Sequence, residues 1–270
     1  MAGREIGPQR WRRGQEEPTM SVQPAHNLSL EEMDKQSFLH PYTLLKDHSE
    51  TGPTIVESAN GVKITDTKGN EYIDAMAGLW CVNIGWGRDE VVDAIADQAR
   101  KLAYYHSFAS MANEASIRLA DRILRLVPEN MSKVFFGNSG SDANDTNVKL
   151  VWYFNNLRGK PEKKKIIGRD RGYHGITVAS ASLTGIPMVH KAFDVPLPQM
   201  RHTVMPHYYT HAEPGMSELD FSKWCAAQLE EMIIAEGPDT VAAFIAEPVM
   251  GAGGVVPPPE GYFQEVQAVL

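Results

Sequence analysis

The sequence predicts an α/β protein: a mainly parallel sheet covered by helices on both faces, preceded by a small antiparallel meander. Three observations carry this. Residues 54–74, "TIVESANGVKITDTKGNEYID", alternate apolar and polar side chains around Asn60-Gly61 and Lys68-Gly69-Asn70, the pattern of strands joined by two tight turns. Beyond "AMAGLWCVNIGWG" the period lengthens: Val91, Ile95, Gln98 and Leu102 share one helical face, and Ile117, Ala120, Leu124 and Val127 another. From residue 133 short β-rich runs alternate with helical stretches, which calls for parallel strands with helical crossovers.

Each element has a local reason. "SLEE" from Ser29 to Glu32 is a capping box and predicts a helix near 30–38, interrupted at Pro41. "KVFF" 133–136 reads as a strand, 141–157 as a helix, "KKIIG" 164–168 as a strand and 176–184 as a short helix. A long helix follows near 217–236, then the strand "TVAAFIAEP" 240–248. Residues 186–216, rich in Pro, His and Met, read as a long loop.

Composition narrows the function classes. The 270 residues, 43% hydrophobic and 22% charged, can bury a large core. A net charge of −8 argues against a nucleic-acid binder, and no apolar run approaches the roughly 18 residues of a membrane span. Cys81 and Cys225 lie far apart with no CxxC, which suggests neither a disulfide framework nor a zinc site and fits a reducing cytoplasm. "HYYTH" 207–211 has histidines four apart but lacks the acid of HExxH, so no metal site is expected. The arginine-rich opening has no apolar h-region and is no secretory signal; residues 1–20 read as a disordered extension.

The chemistry starts at "VFFGNSGSDAND", 134–145. It sets Ser139, Gly140 and Ser141 at a strand's end and a helix's beginning, where free N–H groups and the positive dipole end can cradle a phosphate-sized anion. There is no GxGxxG and no Gly-Lys-Ser/Thr, and Ser141 breaks the GxSxG elbow. Taken alone, the stretch reads better as an ordinary capped helix after a strand. "GRDRGYHG" then puts Tyr173 and His174 at a second strand's end, and "AFIAEPVMGAGG" puts Glu247 at a third. In an open parallel sheet that edge is where ligands bind. An aromatic beside a phosphate cradle suits a flat, phosphorylated ring.

"GLWCVNIGWGR", "FFGNSGSDAND", "IIGRDRGYHG" and "AEPVMGAGGVVPPPEGY", in this order, resemble the class III pyridoxal-phosphate aminotransferases, most of all the ω-transaminases, from about residue 38 to residue 270. The resemblance implies a fold-type-I large domain over 77–270, incomplete at its C-terminus, and a small domain begun by 21–76. It implies pyridoxal phosphate as cofactor, an amine donor and a keto-acid acceptor such as pyruvate, and a homodimer. Ser139, Gly140 and Ser141 would hold the phosphate, Tyr173 would stack on the ring with His174 beside it, and Glu247 would lie near the ring hydroxyl. Tyr42, Leu79, Trp80, Phe108 and Ala252 would line the substrate pocket, although core packing is an alternative for Trp80 and Phe108. Asp142 stands where the family usually has Glu. The Schiff-base lysine and the aspartate that pairs with the pyridinium nitrogen are expected beyond Leu270, so no catalytic residue is expected within the chain. Lys163, Lys164 and Lys165 read as a solvated charged face.

Two other readings stand beside this one: a truncated, catalytically inactive homologue, and a serine hydrolase using Ser139 with His174.

Overall fold

The structure, a computed structural model, describes residues 28–270; the extension expected over 1–20 lies outside the described residues. The chain divides into two compact units, one ending at Asn113 and one running from Glu114 to Leu270.

The first unit opens with the expected helix, α1 (Leu30–Ser37), closed by a reciprocal cap: Glu32 N donates to Ser29 Oγ at 3.2 Å, and Ser29 N donates to the Glu32 carboxylate at 2.7 Å. After α2 (Leu45–Thr51) come the strands β1 (Val56–Asn60), β2 (Lys63–Asp66) and β3 (Glu71–Ile73), paired antiparallel in that order. The meander is held at its second turn by Asp66. Its carboxylate accepts from Asn70 Nδ2 and Tyr72 Oη, each at 2.9 Å, and from the Lys68 and Asn70 amides at 2.9 and 2.8 Å. Those bonds, Asn70's first, hold the Asp66 carboxyl down at about 2. The short turn α3 (Ala77–Trp80) and the helix α4 (Asp89–Leu102) follow.

The second unit contains α5 (Glu114–Leu124), α6 (Gly140–Leu157), β4 (Lys165–Arg169), α7 (Val178–Leu183), α8 (Pro187–His190), β5 (Met200–Thr203), α9 (Tyr208–His211), α10 (Glu218–Glu236), β6 (Val241–Phe244) and α11 (Tyr262–Val269). Its sheet has the order β5-β4-β6, all parallel, with Ile166 opposite Met200 and Lys165 opposite Val241. Successive residues of β4 face opposite sides. Ile167 packs with Phe221, Leu229, Tyr262 and Val266 of α10 and α11, whereas Ile166 packs with Val148, Leu183 and Met200, on the side of α6 and α7. Helices thus cover both faces, as parallel strands require.

Two expectations need correction. No strand forms at 133–136 among the described residues, and Phe135 and Phe136 are exposed. A strand persists only where a neighbour takes up its backbone groups, and no described segment pairs with this one. Residues 186–216 are not a plain loop, because β5 lies inside them and pairs with β4.

Phe221 is fully buried, with ring centroids 5.7 Å from Tyr208 and 5.5 Å from Trp224. Phe221→Ala should cost about 3–5 kcal/mol, read as a lowered urea midpoint.

Candidate active site at the switch point of the parallel sheet

From β4 the chain crosses to β5 on one side, then passes back to β6 on the other. The connection leaving β4 runs through α7 on one face, and that leaving β6 enters α11 on the opposite face. The crevice outside the carboxyl ends of β4 and β6 is therefore the topological switch point, the ligand position of open α/β sheets.

The cradle is built on the start of α6. Ser139 is its N-cap, with Asp142 N donating to Ser139 Oγ at 3.1 Å. The Asp142 carboxylate turns back to accept from Asn138 N at 2.9 Å, which gives this shorter acid a defined task in closing the loop. A Cβ built on Gly140 meets no atom within 4 Å, so the first turn of α6 opens onto free space. Gly175 is constrained instead. Its φ is +130°, and a Cβ there would lie 2.5 Å from both Ser141 Oγ and Ser180 Oγ.

Three side chains of α6 fasten the segment after β4. Ile176 N donates to Ser141 Oγ at 3.0 Å, and Asn144 Nδ2 donates to the His174 carbonyl at 2.7 Å. Asp145 accepts from Thr177 Oγ1 at 2.7 Å and from Ser180 N at 2.9 Å. Ser141, as acceptor there, keeps its own hydroxyl proton for a ligand. Across the crevice both carboxylate oxygens of Glu247 are engaged: Oε1 accepts from Tyr173 N and Oε2 from Gly251 N, each at 2.9 Å. One acid thus joins the ends of β4 and β6.

His174 is buried, and its Nε2 has no hydrogen-bond partner. Burial pushes its imidazole down to about 4, against a smaller upward pull from Glu247. No hydrogen bond joins it to Ser139, so the Ser–His pair of a hydrolase is not formed. Tyr173 is partly exposed.

The second unit thus brings together Ser139, Gly140, Ser141, Tyr173, His174 and Glu247. Ala252 follows in the glycine-rich turn and is exposed. Tyr42, Leu79, Trp80 and Phe108 lie in the first unit and are exposed, so neither Trp80 nor Phe108 packs into a core among the described residues. Tyr42, Leu79 and Trp80 have left-handed φ of 57°, 59° and 64°, and Ala109 beside Phe108 has 51°. Bulky residues hold such angles only at a cost of about 1–3 kcal/mol each, the kind of strain that collects at ligand sites.

Sequence reasoning missed Arg169, Asn144 and Asp145. The polar run "SDAND" held a signal for the last two, whereas Arg169 inside a strand gave none. The lysine run was misread as solvated. Lys163, Lys164 and Lys165 donate to the carbonyls of Pro238, Trp152 and Glu236 at 3.0, 2.9 and 2.8 Å. They sit at the start of β4, the end remote from Tyr173.

A cavity of about 690 Å³ adjoins the ends of β4 and β5, lined by Asp170, Arg171, His207, His211 and Gly253, among others. It does not include the cradle. The cradle itself fits the phosphate of the implied cofactor, with open space over Gly140, hydroxyls at 139 and 141, and a helix N-terminus behind them.

Residues 45–270 match the model of the aminotransferase class-III family. The chain is 54% identical over 241 residues to a diaminobutyrate–2-oxoglutarate transaminase of Halomonas elongata, covering 88% of this chain and 51% of that protein. It is 48% identical over 233 residues to the mitochondrial gamma-aminobutyrate transaminase 1 of Oryza sativa subsp. japonica, covering 86% and 45%. Among solved structures it resembles the ω-transaminase of Pseudomonas jessenii in complex with PMP, with a TM-score of 0.88, 51% identity, and coverage of 90% of this chain and 53% of that one. The chain belongs to the class-III aminotransferase family, and its large-unit architecture is that of fold-type-I pyridoxal-phosphate transferases. It spans about half the length of the relatives it matches.

Gly175→Ala should destabilise the second unit by about 1–3 kcal/mol in chemical unfolding, because a strained φ and two clashing hydroxyls act together. His174 gives a pH test. Its folded value near 4 lies below the ordinary 6.5, so the unfolded chain binds the proton first. Its contribution is complete above pH 6.5 and is lost as pH falls toward 4, on the order of 3 kcal/mol over that window. The wild-type urea midpoint should fall there more steeply than that of His174→Gln.

Proposed function

We propose that this chain forms the cofactor-holding part of a pyridoxal-phosphate aminotransferase that moves an amino group from an amine or ω-amino acid to a keto acid such as pyruvate. In this reading residues 77–270 belong to the large domain and 21–76 to the small one, and the working assembly is a homodimer. Family membership supports the reaction class. The observation that carries the reading in this molecule is the open first turn of α6 fastened to the Tyr173–His174 segment.

Ser139, Gly140 and Ser141 would bind the cofactor phosphate through hydroxyls and the first N–H groups of α6. Tyr173 would lie against the ring, at a height set by the bond from its amide to Glu247. His174, neutral at physiological pH, would add bulk and polarity without charge. Tyr42, Leu79, Trp80, Phe108 and Ala252 would present apolar surface to the amine and exclude water. When bound, pyridoxal phosphate supplies the electron-withdrawing ring that eases proton loss from the substrate carbon bearing nitrogen. A reducing cytoplasm suits the unpaired thiols, exposed Cys81 and buried Cys225.

Gly140→Val is expected to fill the open turn and weaken pyridoxal-phosphate binding at least about tenfold, a change worth roughly 1.4 kcal/mol, with the urea midpoint unchanged. Spectrophotometric titration reads this directly, and an affinity equal to wild type would remove the cradle from the reading.

A further inference from the structure

We propose that Asp34, His40 and His48 form a binding site for a first-row transition cation, Zn²⁺ by preference, in the N-terminal corner of the first unit. The three residues come from a short stretch: Asp34 from the last turn of α1, His40 from just beyond it, and His48 from within α2. Their side chains converge on one point. His40 Nε2 lies 2.8 Å from Asp34 Oδ2, and His48 Nε2 lies 2.8 Å from Asp34 Oδ1. All three potential ligand atoms fall within 4.8 Å of one another. The side chains are 15% (Asp34), 25% (His40) and 13% (His48) exposed, so the cluster is sheltered yet reachable from solvent.

The donor set selects the ion. Two imidazole nitrogens and one carboxylate oxygen disfavour Ca²⁺ and Mg²⁺, which take oxygen ligands, and the absence of a thiolate from the set disfavours soft Cu⁺. Two nitrogens and an oxygen suit Zn²⁺, with a fourth position left to water. Tetrahedral Zn²⁺ with bonds near 2.0–2.1 Å needs ligand atoms about 3.3 Å apart. The His–Asp contacts must therefore open by about half an ångström, which rotation about side-chain bonds can supply.

The placement gives such an ion something to do. α1 and α2 have eight and seven residues, and neither has a buried residue. Helices of that length are marginal alone. The polar contacts between them are this cluster and Lys35 Nζ donating to the Glu50 carbonyl at 3.3 Å. A cation would replace the two Asp34–histidine contacts with three bonds and close a ring around residues 40–48, the turn that carries Tyr42 at φ 57°. The His207–His211 pair contrasts with it: His207 Nδ1 and His211 Nδ1 both face Thr210 Oγ1, at 2.8 and 2.7 Å, with no acid between them.

The test is zinc content after exhaustive chelation and dialysis against buffered micromolar Zn²⁺. The wild-type chain should retain about one equivalent. His40→Ala/His48→Ala should lose it, and His207→Ala/His211→Ala should keep it. Because the double alanine variant could disturb the corner, Asp34→Asn supplies a gentler arm. Its amide still bonds both imidazoles, so far-UV circular dichroism should stay unchanged while zinc affinity falls at least about tenfold. Co²⁺ in place of Zn²⁺ should give ligand-field bands without thiolate charge transfer. No retained zinc in the wild type, retention unchanged in Asp34→Asn, or loss confined to the His207/His211 variant would each overturn the proposal.

Discussion

The carboxyl edge of the sheet depends on a buried cation with no acid partner among the described residues. Arg169, at the last position of β4, is fully enclosed, and no carboxylate pairs with it among the described residues. Its Nη2 donates to the Glu247 main-chain oxygen at 2.6 Å, and its guanidinium carbon lies 5.7 Å from the centre of the Tyr262 ring. An isolated charge in such a place costs several kcal/mol, offset here by a peptide dipole, an aromatic face and the Tyr262 hydroxyl. That cost has a structural return. Arg169 fixes the backbone of Glu247, and Glu247, so fixed, reaches the amides of Tyr173 and Gly251. The strand ends on both sides of the crevice are located by one guanidinium acting through one carboxylate.

The rest of the edge is assembled from small polar groups and close backbone approach. Ser141, Asn144 and Asp145 line one side of α6 at helical spacing and take up the polar groups of residues 174–180. Thr184 repeats the arrangement from the far end of α7: His174 N donates to its hydroxyl at 2.8 Å, and that hydroxyl donates to the Gly175 carbonyl at 3.1 Å. Gly185 permits the fit, since a Cβ there would stand 2.1 Å from the Arg169 carbonyl. A segment held through its own main chain keeps its side chains available, which is what a surface for a flat ring needs.

The legible parts of the sequence were those whose cause is local. The Ser29–Glu32 cap, the meander around two tight turns, and the long helices α6 and α10 follow from capping and periodicity, and they form where expected. The small-residue corner at 139–141 starts α6 as expected, with Ser139 as its N-cap, and two of the three strand-end motifs follow real strands, β4 and β6. What could not be read was set by distant pairing. "MRHT" in β5 is four residues long, with no apolar alternation, and is a strand because β4 lies beside it. "KVFF" carries strand propensity but finds no described partner. Arg169 looked like any charged residue ending a strand, and only the enclosure built by α11 makes it central. Asp34, His40 and His48 meet only when the chain turns at Pro41.

Binding a phosphorylated cofactor and using it are physically separate tasks, and the function proposed above assigns only the first to this chain. Phosphate affinity needs oriented N–H groups and hydroxyls, all within one helix start and one strand-end loop, so a contiguous stretch can supply it. Ring placement needs a rigid support, which in that proposal the Arg169–Glu247–Tyr173 chain of contacts would provide. Proton transfer at a substrate carbon needs an amine or imidazole of suitable basicity within hydrogen-bond reach of that carbon. His174 is too weak a base at about 4, and Lys163, Lys164 and Lys165 sit at the wrong end of β4. The relatives, about twice as long, have as much chain again in which to provide such a group.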